Sequence, residues 1–258
     1  MSSDRLWRYR ETVRIGFLDQ RTANPWRVSA TTTWPRAVLQ CYFFVLLGSS
    51  VAGTRAFAFE GSVVLVLTLP TSISISAVPM TDKWMGTFYR IRLGRMPAVT
   101  VMALRSLPWL ADALVMVVLS ALVVGALTSQ MSLAFRLLAL SPLFLLMALT
   151  NVAAGLAVAS FAVGRNADVV LGNALMYLII AAGGIVVPPG RLPWLDDIGS
   201  VLPLRNGLMA IRAIISGRPW AAHLLAECVV GCAWAVLAIA GYSYHIVQAR
   251  RKGLDAFA

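Results

Sequence analysis

Nowhere does this chain read G-x-x-x-x-G-K-[ST], the glycine-rich loop that cradles nucleotide phosphates, so it does not hold ATP by the P-loop route. Charge is scarce: 13% of the 258 residues are Asp, Glu, Lys or Arg, about half the share in a soluble domain, and the lysines are only Lys83 and Lys252. The three cysteines, Cys41, Cys228 and Cys232, all lie in apolar runs and imply no disulfide framework. Cys228 and Cys232 share a helix face, yet no paired His or further Cys completes a metal set. His223 and His245 sit near the edges of apolar runs without neighbours for a catalytic or metal cluster. Sustained alternation of polar and apolar residues is missing too, which argues against a β-barrel. The first residues, MSSDRLWRYRETVRIG, are too charged to supply the apolar centre of a cleavable signal peptide.

What the chain has instead is hydrophobic length. Apolar residues make up 59% of it, and mean hydropathy is +0.77. Six runs, at about 34–53, 56–79, 104–128, 133–163, 168–187 and 221–246, approach or exceed the ~20 residues needed to cross a bilayer as a helix. The expected fold class is therefore an all-α integral membrane protein with six transmembrane helices. The fourth run exceeds one crossing, so it is expected to tilt or project. Net charge is +11, but the basic residues cluster in gaps between apolar runs, which points to membrane orientation and anionic lipid and away from nucleic acid. Sixteen of the 22 fall on one side: those before residue 37, those from Lys83 to Arg105, Arg165, and the last three. Six fall on the other, at Arg55, Arg136, Arg191, Arg205, Arg212 and Arg218. The richer side is expected to be cytoplasmic, with both termini there. The preference for arginine, with abundant Ala and Val, suggests a GC-rich, bacterial source.

Three segments outside the spans have their own character. Residues 1–33 hold an amphipathic stretch in which Leu6, Tyr9, Val13 and Phe17 recur at helical spacing among arginines, the pattern of a helix lying flat at the interface; Asn24-Pro25 is expected to end it. Residues 81–97, TDKWMGTFYRIRLGRMP, predict a short cationic helix after the second run, with Pro79 ending that run, Thr81 or Asp82 as cap, and Gly94 and Pro97 as stop. Its Trp84, Phe88 and Ile91 share a face, and Gly86 permits close approach, so it reads either as a helix resting on lipid or as a knob gripped by a cytoplasmic partner. Residues 188–220, rich in proline and apolar groups, suggest two short helices dipping back into the outer leaflet; residues 247–258 form a basic tail.

These residues carry a resemblance. The chain, over residues 1–250, resembles a membrane subunit of a type-2 ABC exporter, the ABC-2 permease family. There an interfacial helix precedes six spans, and a coupling helix between the second and third carries an acid, then Gly-Thr, then a proline. Asp82, Gly86-Thr87 and Pro97 stand in those places, with Asp82 replacing the usual glutamate and Tyr89-Arg90-Ile91-Arg92 more basic and aromatic than the common pattern. Gly184-Ile185-Val186-Val187-Pro188, Leu192-Pro193-Trp194-Leu195, Leu202-Pro203-Leu204 and Ala210-Ile211-Arg212 match the family's two re-entrant extracellular helices. The resemblance implies a permease without its own nucleotide-binding domain, hence not an enzyme. ATP and Mg are then bound by a separate P-loop ATPase present in two copies, and the permease pairs with an identical or diverged sister chain. It further implies that Asp82, Trp84, Gly86, Thr87, Phe88, Arg90, Ile91 and Arg92 meet the ATPase, and that an amphiphilic drug, antibiotic, lipopeptide or lipid leaves through the plasma membrane.

Ionisable and amide side chains inside the runs are candidates for a substrate path: Glu60, Asp112, Asn151, Asn173 and Glu227. Pairing of the acids with Arg55, Arg105 or Arg218 is the competing expectation, and close helix packing is the competing role for the small and amide residues. An ion-coupled secondary transporter and a membrane assembly scaffold are the alternative functions. The first calls for repeated halves and helices interrupted at the midplane. Neither is evident in the chain.

Overall fold

A computed structural model describes residues 3–52, 54–86, 91, 94–163 and 167–252, and among these every regular element is helical. Helix α1 (Ser3–Ala23) ends where Asn24 donates its N–H to the Gln20 carbonyl and Pro25 leaves helical geometry at φ −54°, ψ 147°. A single turn, Trp26–Val28, and a π-helical stretch, Ser29–Thr33, lead into α2 (Trp34–Ala52). Helix α3 (Arg55–Leu65) continues through a second π-helical stretch, Leu69–Ser74, into α4 (Ile75–Trp84). Helices α5 (Ala98–Arg105) and α6 (Leu107–Leu127) join at Ser106. Then come α7 (Met131–Ala139), α8 (Ser141–Val163), α9 (Asp168–Ala182), α10 (Pro193–Ser200), α11 (Arg205–Ile215) and α12 (Ala221–Lys252).

Four stretches among the described residues are long and apolar enough to cross a membrane: Arg55–Asp82, Ala98–Leu127, Ser141–Ala162 and Ala221–Tyr244. A fifth is counted if α10 and α11, bent by 103° to one another, are taken as one broken span. Of the other runs expected to cross, α2 is a helix of 19 residues and α9 one of 15. The second span is the centre of the bundle, 72% of its apolar window buried; the last is the periphery, at 22%.

Two local expectations are overturned. The fourth apolar run is not one tilted helix: it breaks at Leu140, at φ −89° and ψ 23°, because Pro142 lacks the N–H that a continuous helix would use. Pro79 does not end the second span but lies inside α4. The helix tolerates it because the flanking turns are held by tertiary contacts, α4 packing along α8 and Asp82 gripped by Arg105 from the next span.

Large side chains fill the core, among them Phe59, Leu67, Met102, Met116, Phe144 and Met147, all buried. Small ones let backbones meet. A Cβ on Gly155 of α8 would lie 2.8 Å from the Thr71 carbonyl oxygen in the π-helical stretch, and one on Gly48 of α2 would lie 2.9 Å from Ala58 Cβ in α3. In lipid, where hydrophobicity does not drive helices together, such close approach supplies the packing energy.

Candidate functional site

The segment that follows the second span is anchored at its root. Thr81 is not a cap, since its hydroxyl donates back to the Ala77 carbonyl at 3.1 Å, the bond of a residue inside a helix. Asp82 is not a cap either. It is buried, and its carboxylate accepts from Arg105 Nη1. Arg105 Nη2 donates to Asp19 Oδ2 at 2.7 Å, so one guanidinium joins the end of α4, the end of α5 and the N-terminal helix α1. Helix α1 can reach this point because Gly16 lies against the backbone of Arg105, where a Cβ would come within 2.9 Å of its Cα.

Beyond Trp84, the last residue of α4, the chain turns at Gly86, which has φ +64°, the left-handed conformation that costs a residue with a Cβ. A Cβ there would meet nothing within 4 Å, and neighbouring Met85 is exposed, so the turn faces open space. Ile91 is half-buried and packs on the apolar core; Gly94 donates its N–H to the Ile91 carbonyl, and Pro97 caps α5. Thr87, Phe88, Arg90 and Arg92 lie outside the described residues. The acid of this segment thus belongs to the span helix, and the described part that projects begins at Met85.

The other candidates form separate clusters. Glu60 meets Arg212 Nε at 3.3 Å, not Arg55, Arg105 or Arg218. Arg212 also donates to the Gly184 carbonyl at 2.8 Å and the Phe57 carbonyl at 3.1 Å, with its guanidinium carbon 3.6 Å from the Phe57 ring centre. Asp112 accepts the indole N–H of Trp34 at 3.1 Å. Asn151 donates its amide to Thr71 Oγ1 at 2.7 Å. Glu227, fully buried in α12, accepts the Thr150 hydroxyl at 2.5 Å and the Leu204 N–H at 3.0 Å on Oε1, and the Gly207 N–H at 2.9 Å on Oε2. The last two donors are N–H groups at the start of α11, so an acid from the last span serves as that helix's N-cap. Leu204, at φ 74°, turns the chain into this position.

Four of the five path candidates are therefore buried and engaged inside the fold. Asn173 lines a groove of about 750 Å³ between α2 and α9 that also presents Arg36, Gln40, Phe43 and Tyr177. Of the bases that organise the clusters, Arg105 was expected to pair with an acid and does so, with Asp82 and Asp19, whereas Arg212 was not expected to be the partner of Glu60. Arg105 carries a usable signal, a lone base inside an apolar run just before Ser106-Leu107-Pro108, at the cytoplasmic end where Asp82 also falls. Arg205 carries none: that it binds Asp196 and the Ala182 carbonyl follows from the 103° bend.

Among the described residues no group of His, Cys, Asp and Glu is arranged to hold a metal. A family model described as ABC-2 type transporter matches residues 17–216, from the end of α1 to just past α11. Comparison with curated proteins and with solved structures returns no match.

Proposed function

Since the chain belongs to the ABC-2 type transporter family, as the membrane-spanning permease subunit of an ABC transporter, we propose that it exports an amphiphile from the cytoplasm or inner leaflet under the drive of a separate ATPase. The ATPase is present in two copies and the permease in two, either identical or a diverged sister pair, in the plasma membrane with both termini cytoplasmic. The cargo class is a drug, antibiotic, lipopeptide or lipid.

The observation that carries the reading is the Asp82–Arg105–Asp19 junction directly behind the Gly86 turn. A force applied to the projecting segment by an ATPase passes at once into the second span, the third span and α1, because one half-buried guanidinium ties all three. The amphiphile reading is supported by the groove between α2 and α9, whose Leu39, Phe43 and Tyr177 are exposed beside Arg36, Gln40 and Asn173.

The test is purification of tagged protein from native membranes in gentle detergent, with mass spectrometry of its companions, comparing wild type and Gly86→Trp. A Cβ at Gly86 meets nothing within 4 Å, and because the left-handed backbone there costs a residue with a Cβ about 1–2 kcal/mol, the variant's melting temperature is read beside its companions. A P-loop ATPase that accompanies the wild type and is lost from the variant is the expected result. Absence of any ATPase after mild crosslinking would overturn the ATP-driven reading.

A further inference from the structure

We propose that the cleft between α1 and the chain leading into α5 is a binding site for one anionic phospholipid. The cleft has two connected parts. The polar part, about 240 Å³, is lined by Arg5, Arg8, Tyr9, Arg95, Met96 and Pro97. The second, about 460 Å³, is walled by Trp7, Ile15, Ile91 and Val101. Arg8, Arg95 and Met96 line both, so a basic mouth leads into a mainly apolar channel that lies open along the surface.

Charge selects the headgroup. Among the described residues none of Arg5, Arg8 and Arg95 is in an ion pair, and Glu11, an acid lining the apolar part, is held by Arg14 at 3.0 Å. Three guanidiniums beside a tyrosine hydroxyl suit a phosphate oxygen cluster. The apolar part selects for a tail. Val101 lies in the first turns of the Ala98–Leu127 span, so an acyl chain in the channel passes directly into hydrocarbon. Trp7, 65% exposed on α1 beside this cleft, adds an indole, a group that favours the membrane interface. A free phosphate would fill only the polar part and leave the channel unexplained. The inference does not depend on what the permease transports.

The full chain is equilibrated in mixed phosphatidylglycerol and phosphatidylcholine of matched acyl chains, and the lipid it retains is counted by native mass spectrometry. Wild type should keep one phosphatidylglycerol in preference to phosphatidylcholine, and excess inorganic phosphate should not displace it. Arg8→Gln with Arg95→Gln should lower that preference about thirtyfold, at about fivefold for each basic group beside an anionic lipid surface. Arg10→Gln with Arg21→Gln removes the same charge from α1 outside the cleft and should leave most of the preference intact. Val101→Trp, which fills the channel, should also release the lipid. Arg8 and Arg95 are half-buried and exposed, so folding is not at stake in the first variant. Equal retention of the two lipids, equal loss in the two double variants, or displacement by phosphate would each overturn the proposal.

Discussion

Replacing Glu227 tests whether the last span holds α11 in place. Glu227→Leu roughly keeps the volume and removes every acceptor from a fully buried position. Thr150 loses least, because its single hydroxyl proton can turn to the Met147 carbonyl, 2.9 Å away. The loss concentrates on the N–H groups of Leu204 and Gly207, which donate to the carboxylate at 3.0 and 2.9 Å in a buried position. A buried donor left without a partner costs about 1–3 kcal/mol, so two cost about 2–6 kcal/mol. Glu227→Gln keeps one carbonyl oxygen but aims its amide group at the second donor, so it costs about half as much. At roughly 2–4 °C per kcal/mol, melting should fall by about 5 °C for Gln and about 10 °C or more for Leu. Intrinsic tryptophan fluorescence of the purified chain in detergent reads the melting. Hydrogen exchange over residues 204–208 reads whether α11 opens at its first turn. A Leu variant that melts with the wild type and keeps those amides protected would show that packing alone seats α11, and the capping argument would fail.

Arg105→Met should destabilise by about 3–5 kcal/mol, because the buried Asp82 carboxylate loses the guanidinium that compensates its charge, whereas Asp19→Asn, at a half-exposed carboxylate, should cost at most about 1 kcal/mol. Adding Asp82→Leu to Arg105→Met should recover most of the loss in the same melting assay; no recovery would mean that Arg105 acts mainly through its packing. Gly155→Ala should cost about 1–3 kcal/mol, since its methyl would meet backbone of the second span, at Thr71 and Ser72, that cannot swing aside. An unchanged melting temperature would indicate that α8 shifts freely along that span.

The projecting segment shows how far sequence reading reaches. Gly86 stands out by its type, and the chain does turn there, because only a residue without Cβ takes φ +64° cheaply. Asp82, four residues earlier, reads as a cap by local rules, yet it faces inward. Capping preference is worth about 1 kcal/mol, and a guanidinium 23 residues away along the chain, paired with the buried carboxylate, outweighs it. Pro79 misleads for the same reason. The broken fourth run was open to a local reading through Pro142, but run length masked it.

Composition and hydrophobic length by themselves determined that this chain is a helical membrane protein and roughly where its apolar helices lie, though not the break at Leu140 that divides the fourth run. That is because each helix in lipid must satisfy its backbone within itself, which makes spanning a local property. Which acid meets which base was decided only in the tertiary structure. Glu60 finds Arg212, 152 residues away, and Glu227 of the last span caps α11; residues 188–220 read as two short helices turning back, but which acid seats the second depends on how the spans pack around it.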